Sequence, residues 1–193
     1  MTMKNLHKKF WLIPLTVLSA LVLISFAFSK ETTPHKSEVV QNEKNDESES
    51  EALEWHTDIK KVQELSKSSG KPIFAFFTGS DWCGWCKKLQ AEVFAKEAFV
   101  EWAEENVVLL ELDFPKRTQL DSALQVQNYG LAKAFGVSGY PTIWIFNAEL
   151  NEQTNNISID ALGSLGYPRG AVAGKEEELF LENADKVLAN KAQ

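Results

Sequence analysis

Ile73-Phe74-Ala75-Phe76-Phe77-Thr78-Gly79-Ser80-Asp81-Trp82-Cys83-Gly84-Trp85-Cys86-Lys87-Lys88 decides the fold. Its first five residues are apolar at every position and too few for a helix, which suits a strand buried on both faces. Thr78-Gly79-Ser80-Asp81 are turn formers and end that strand. From Cys86 onward Leu89, Val93, Phe94, Phe99 and Trp102 recur near helical spacing, predicting one helix and a shorter successor up to residue 106. The only two cysteines of the chain, Cys83 and Cys86, therefore fall at a strand–turn–helix junction.

A disulfide between cysteines this close restrains little of the unfolded chain and would be a weak staple. Catalysis explains the spacing better. Near the first helical turn, Cys83 faces unpaired backbone N–H groups and the positive end of the helix dipole, which favour a thiolate. That makes Cys83 the expected nucleophile. Cys86, one turn further in, is placed to attack a mixed disulfide at Cys83 and so to act as resolving thiol. Three other readings stay open: half of a zinc knuckle, a copper site of two thiolates with His56, and a structural or inert pair. The zinc reading lacks ligands, because His7 and His35 lie outside the expected domain and His56 at its edge. No metal and no cofactor is expected.

Working outward, Thr57 is the expected N-cap of a helix carrying Ile59, Val62 and Leu65, with Gly70 as its stop. A second buried strand spans residues 107–112, Pro115 breaks the chain, and residues 120–135 read as a helix with Leu124, Leu131, Ala134 and Phe135 inward. Residues 142–146 form a third strand, Asn147-Ala148-Glu149 a turn, residues 157–165 an edge strand, and residues 175–189 a last helix. Strands alternating with helices imply parallel pairing with right-handed crossovers, and the short link between the last two strands requires antiparallel pairing. The expected class is α/β, a mixed central β-sheet flanked by helices.

The formal net charge is −7, but residues 1–30 hold four lysines and no acid, so residues 31–193 carry −11. So acidic a body repels phosphate backbones, and nucleic acid is not an expected partner. Lys4, Lys8 and Lys9 precede an uncharged apolar stretch at residues 10–28, the polarity of an export signal. At ~1.5 Å per residue that stretch reaches roughly 28 Å, which also suits an uncleaved membrane anchor. Residues 30–52 are polar and acidic with almost no large apolar side chain, as in a solvated tether. The expected organisation is signal peptide or anchor at 1–29, linker at 30–52 and one domain at 53–193, delivered to the periplasm or another extracytoplasmic space.

The segment Gly79-Ser80-Asp81-Trp82-Cys83-Gly84-Trp85-Cys86-Lys87-Lys88, together with Gly136-Val137-Ser138-Gly139-Tyr140-Pro141-Thr142, resembles exported members of the thioredoxin superfamily. That resemblance implies a thioredoxin fold, a protein-disulfide oxidoreductase with a redox-active Cys83–Cys86 disulfide, and a cis Tyr140–Pro141 bond facing the pair. It implies that Tyr140 and Pro141 guide an extended substrate strand, and that Trp82 packs under the pair. Trp85 occupies a variable position, as substrate platform or packing, while Asp81 and Gly84 support the motif, Asp81 as helix cap or as proton carrier through water. Family members carry a buried carboxylate that here falls near Ala75, and oxidising relatives carry a histidine between the cysteines that is absent here. The expected function is reductase or isomerase toward disulfide-containing exported proteins, re-reduced by a membrane thiol donor. The alternative is a redox-inert binding module or chaperone.

Overall fold

The computed structural model describes residues 53–151, 153–154 and 156–192. The expected signal or anchor at 1–29 and the linker at 30–52 lie outside them. Among the described residues no helix is long and apolar enough to cross a membrane.

Four strands form one sheet in the order β2-β1-β3-β4: β1 (Ile73–Thr78), β2 (Val108–Asp113), β3 (Thr142–Asn151) and β4 (Asn156–Leu165). β1 is buried at all six positions, as its unbroken apolar run requires of a strand covered on both faces. It pairs parallel with β2, from Ile73 opposite Val108 to Thr78 opposite Asp113. β3 runs antiparallel to β1, and β4 antiparallel to β3. The sheet is mixed, but the parallel pairing expected of alternating elements holds only for β1 and β2. The free edge of β2 is partly covered by His56, whose N–H donates to Leu109 O and whose carbonyl accepts from Glu111 N.

Five α-helices flank the sheet: α1 (Ile59–Ser69), α2 (Gly84–Leu89), α3 (Glu97–Asn106), α4 (Ser122–Ala134) and α5 (Glu176–Leu188). A π-helical turn, Gln90–Phe94, continues α2 without a break. One core cluster joins Phe74 and Phe76 of β1 to Cys83, Cys86, Leu89, Phe94, Phe99 and Phe180, so α2, α3 and α5 cover that face. Ile73, Ala75 and Phe77 point the other way, into a cluster with Ile59, Val62, Leu110, Leu112 and Ala132, beneath α1 and α4. Alternation along a strand produces the split. Phe94 stacks on Phe99 at 4.6 Å and meets Phe76 edge-on at 5.0 Å, contacts worth about 0.5–1.5 kcal/mol each beyond their area.

Three local expectations change. Asp58, not Thr57, caps α1: it takes an extended backbone and accepts from Lys60 N at 2.8 Å, a stronger cap by its carboxylate. The Thr57 carbonyl instead accepts from Gln127 Nε2, tying α4 to the entry of α1. On α4 the buried residues are Asn128 and Ala132, whereas Ala134 is exposed, because Asn128 donates to the Asp113 carbonyl and sets the helix rotation. Asn147-Ala148-Glu149 is strand and not turn. Pairing with β4 continues through all three, and the hairpin reverses beyond Asn151, whose Oδ1 accepts from Gln153 N and Thr154 N.

Candidate active site

The turn after β1 brings the cysteines to the start of α2. Cys83 is the N-cap residue in extended conformation, and its N–H is fixed by Gly79 O at 2.8 Å. Cys83 and Cys86 are joined in a disulfide with their Cα atoms 5.3 Å apart. The Cys83 sulfur accepts the Cys86 N–H at 3.1 Å, so a backbone donor at the helix start already points at it. Cys83 is 5% exposed and Cys86 is 0% exposed. The two sulfurs are thus inequivalent: one reaches the surface and accepts a helix-terminal N–H, and the other is sealed in the core. Gly84 begins α2, and a Cβ built there meets nothing within 4 Å, so space does not demand glycine at that position.

Aromatic side chains surround the pair. Trp82, 36% exposed, lies across Gly79, donates from Nε1 to Phe114 O at 2.8 Å and meets Tyr140 edge-on at 5.7 Å. It is an outer wall of the site, tied to the loop after β2, and it is not among the residues of the cluster that encloses the cysteines. Trp85 is 57% exposed and touches Tyr167 edge-on at 5.0 Å. Tyr140 and Tyr167 both pack on the core cluster containing Cys83 and Cys86. The Tyr140–Pro141 bond is cis, and the carbonyl of Pro141 lies near Gly166, next to Tyr167. Tyr140 thus meets Trp82, and Pro141 lies near Gly166, the neighbour of the Tyr167 that Trp85 touches.

Asp81 does not cap α2. Its carboxylate accepts the backbone N–H groups of Lys116, Arg117 and Thr118, and Cys83 takes the capping position instead. The Lys116 N–H foremost, with those of Arg117 and Thr118, holds the Asp81 carboxyl below its usual range. Ala75 also proves the wrong place to look for a carboxylate beneath the pair, because it points to the opposite face of the sheet. The residues of β1 on the cysteine side are Phe74, Phe76 and Thr78, and opposite Phe76 stands Glu111. Burial pushes the Glu111 carboxyl above its ordinary value, with Asp113 adding to the effect. A lone acid inside Val108-Leu109-Leu110-Glu111-Leu112 was the available signal. Tyr167 and Lys116 had none, since they reach the site from separate segments, whereas Lys88 stands inside the cysteine motif itself, two residues after Cys86. Among the described residues no group of three or more His, Cys, Asp or Glu side chains is placed to hold a metal, and His56 sits on the edge of β2 beside Glu54.

The thioredoxin-like domain family matches residues 59–155, about half of the chain and the part that contains both the cysteine pair and the cis-proline. The chain belongs to the thioredoxin-like family. It is 31% identical over 115 residues to the disulfide bond reductase DsbH of Chlamydia pneumoniae, covering 60% of this chain and 68% of that protein. It is 27% identical over 126 residues to the thioredoxin-related protein DsbJ of the same organism, spanning 65% of this chain but only 34% of that longer protein. A solved DsbH oxidoreductase structure superposes with a TM-score of 0.57 at 26% identity, covering 71% of this chain and 85% of that one. A Thermus thermophilus thioredoxin, at 16% identity and a TM-score of 0.50, shares the fold. Fold, cysteine pair and relatives together make this member of the family a thioredoxin-like thiol–disulfide oxidoreductase.

Proposed function

We propose that the protein reduces or isomerises disulfides in exported proteins, with Cys83 as nucleophile, Cys86 as resolving thiol and Trp85, Tyr140 and Pro141 as the substrate-contacting surface. The inequivalence of the two sulfurs carries this reading: Cys83 touches solvent and accepts a helix-terminal N–H, while Cys86 is sealed. In the reduced protein the same N–H and the helix dipole favour the Cys83 thiolate. That thiolate attacks one sulfur of a substrate disulfide, forms a mixed disulfide and expels the other substrate sulfur, which takes up a proton. Cys86 gives up its proton and attacks the Cys83 sulfur, which closes the Cys83–Cys86 bond and releases the second substrate thiol. The substrate gains two electrons and two protons, and a membrane thiol donor returns them to the pair. Residues 1–29 would deliver or tether the domain outside the cytoplasm.

The reducing direction is supported by the neutral residues between the cysteines, Gly84 and Trp85, where no cation is present to stabilise the thiolate further. Similarity to a protein named a disulfide bond reductase points the same way. Insulin-disulfide reduction by the full-length protein, with Cys83→Ser inactive and Cys86→Ser trapping mixed disulfides, is the decisive experiment. A Cys83–Cys86 potential near about −270 mV supports the reductant, and one near about −120 mV an oxidant. Client protection unaltered in Cys83→Ala/Cys86→Ala would favour a redox-inert module instead.

A further inference from the structure

Each tryptophan beside the disulfide carries a lysine on it. Lys116 Nζ lies 3.7 Å from the Trp82 ring centroid. Lys88 Nζ lies 5.3 Å from the Trp85 ring and 5.1 Å from that of Tyr167. One ammonium stands on the Trp82–Tyr140 wall, tied through Phe114 to the loop after β2, and the other on the Trp85–Tyr167 wall, where Tyr167 follows β4; β2 and β4 are the two edge strands of the sheet. The carboxylates around them are already engaged. Asp81 is held by three backbone N–H groups of residues 116–118, Asp113 accepts from Ser80 N and Oγ, and Glu92 accepts from Tyr167 Oη and lies 3.7 Å from Lys88. Among the described residues no carboxylate is within ion-pair distance of Lys116. Lys116 is thus a cation beside the pair without a carboxylate partner among those residues, and Lys88 one that shares Glu92 with Tyr167, on a body whose residues 31–193 carry −11.

We propose that Lys88 and Lys116 select client segments that carry carboxylates on both sides of the reacting cysteine. This inference rests on the oxidoreductase reading above. An extended client strand laid along Tyr140 and Pro141 advances ~3.3 Å per residue, so side chains a few residues to either side of its cysteine reach the two walls. One ammonium lies over each indole, so an apolar client side chain docking on that face would have to displace a cation–π contact. A carboxylate pairs with the ammonium where it stands. The acidic body repels anionic clients at long range, but that field is screened beyond about 8 Å at physiological salt, leaving contact pairs to decide. The selection therefore acts in KM, by about two- to fivefold per lysine as for exposed ion pairs.

The test uses the reduced full-length protein and two synthetic disulfide-bonded peptides identical except for glutamates or lysines flanking the cysteines, with hydroxyethyl disulfide as a small neutral probe. The ratio of kcat/KM for the acidic over the basic peptide is expected near tenfold at low salt, carried by KM. It should shrink toward one at about 0.5 M salt and invert in Lys88→Glu/Lys116→Glu. Reduction of hydroxyethyl disulfide without any preference between the peptides overturns the selection and leaves the oxidoreductase reading intact. So does a preference that Lys88→Glu/Lys116→Glu leaves unchanged. A preference that emerges only after deletion of residues 31–51 assigns the surface to the chain's own acidic segment and likewise overturns it. Failure to react with any of the three disulfides sinks the oxidoreductase reading and the selection with it.

Discussion

Gly79→Ala tests the architecture of the site most directly. A Cβ at position 79 would stand 2.5 Å from both Cε2 and Nε1 of Trp82 and 2.9 Å from its Cζ2, about 1 Å inside ordinary contact. The neighbour is a rigid indole, tied by Nε1 to Phe114 O, packed on Tyr140 and covered by Lys116, so it cannot yield by a simple rotamer change. Overpacking of this kind costs about 1–3 kcal/mol, and loss of the Nε1 hydrogen bond adds about 1 kcal/mol. A destabilisation of roughly 2–4 kcal/mol shifts a urea midpoint by about 1–2 M at an m-value near 2 kcal/mol/M. The assay is urea unfolding followed by circular dichroism, repeated in a Trp82→Ala background. There Gly79→Ala should cost less than about 0.5 kcal/mol, giving a coupling energy of about 2 kcal/mol or more. Equal costs in the two backgrounds would refute the claim that Gly79 exists to seat the indole.

Further expectations concern buried and half-buried polar groups. Thr78 is buried with no hydrogen-bond partner for its hydroxyl, so Thr78→Val, of the same shape, should stabilise the protein by about 1 kcal/mol in the same unfolding assay; a loss would mean the hydroxyl has a partner. Glu111 has a folded pKa above its ordinary 4.5, so between those values the folded state binds the extra proton and stability falls as pH rises through that window. Glu111→Gln should therefore raise Tm at pH 7 and lose the advantage below about pH 4.5, read by calorimetry at both pH values. For Asp81 the sign is opposite: its folded pKa is lowered from 3.8, so its hold on the 116–118 loop is complete above that value and lost as pH falls below it. Asp81→Ala should speed amide exchange at Lys116, Arg117 and Thr118 at neutral pH while α4 keeps its protection, and unchanged exchange would rule the anchor out.

Most of the fold was legible because the apolar run at Ile73 to Phe77 leaves only one element compatible with its length and pattern. Four strands and five helices stand close to their expected places. The misread turn at Asn147-Ala148-Glu149 shows the limit: those residues favour turns by themselves, but ten-residue strands paired along their length override local preference. Asp81 is instructive in the same way. Two residues before Cys83 it had the composition of a cap, yet its partners lie 35 to 37 residues away.

By itself the sequence determined the redox pair, its strand–turn–helix setting, the cis-proline segment and the charge balance, because each depends on neighbouring residues or on composition. Only the tertiary structure decided the surroundings of that pair. Trp82 hydrogen-bonded to Phe114, Trp85 against Tyr167, Lys116 over Trp82, and Glu111 on the cysteine side of the sheet in place of any acid at Ala75 all depend on which loops meet and which face a strand residue takes. Strand register and side-chain alternation settle those facts, and both are properties of the assembled sheet and not of any single segment.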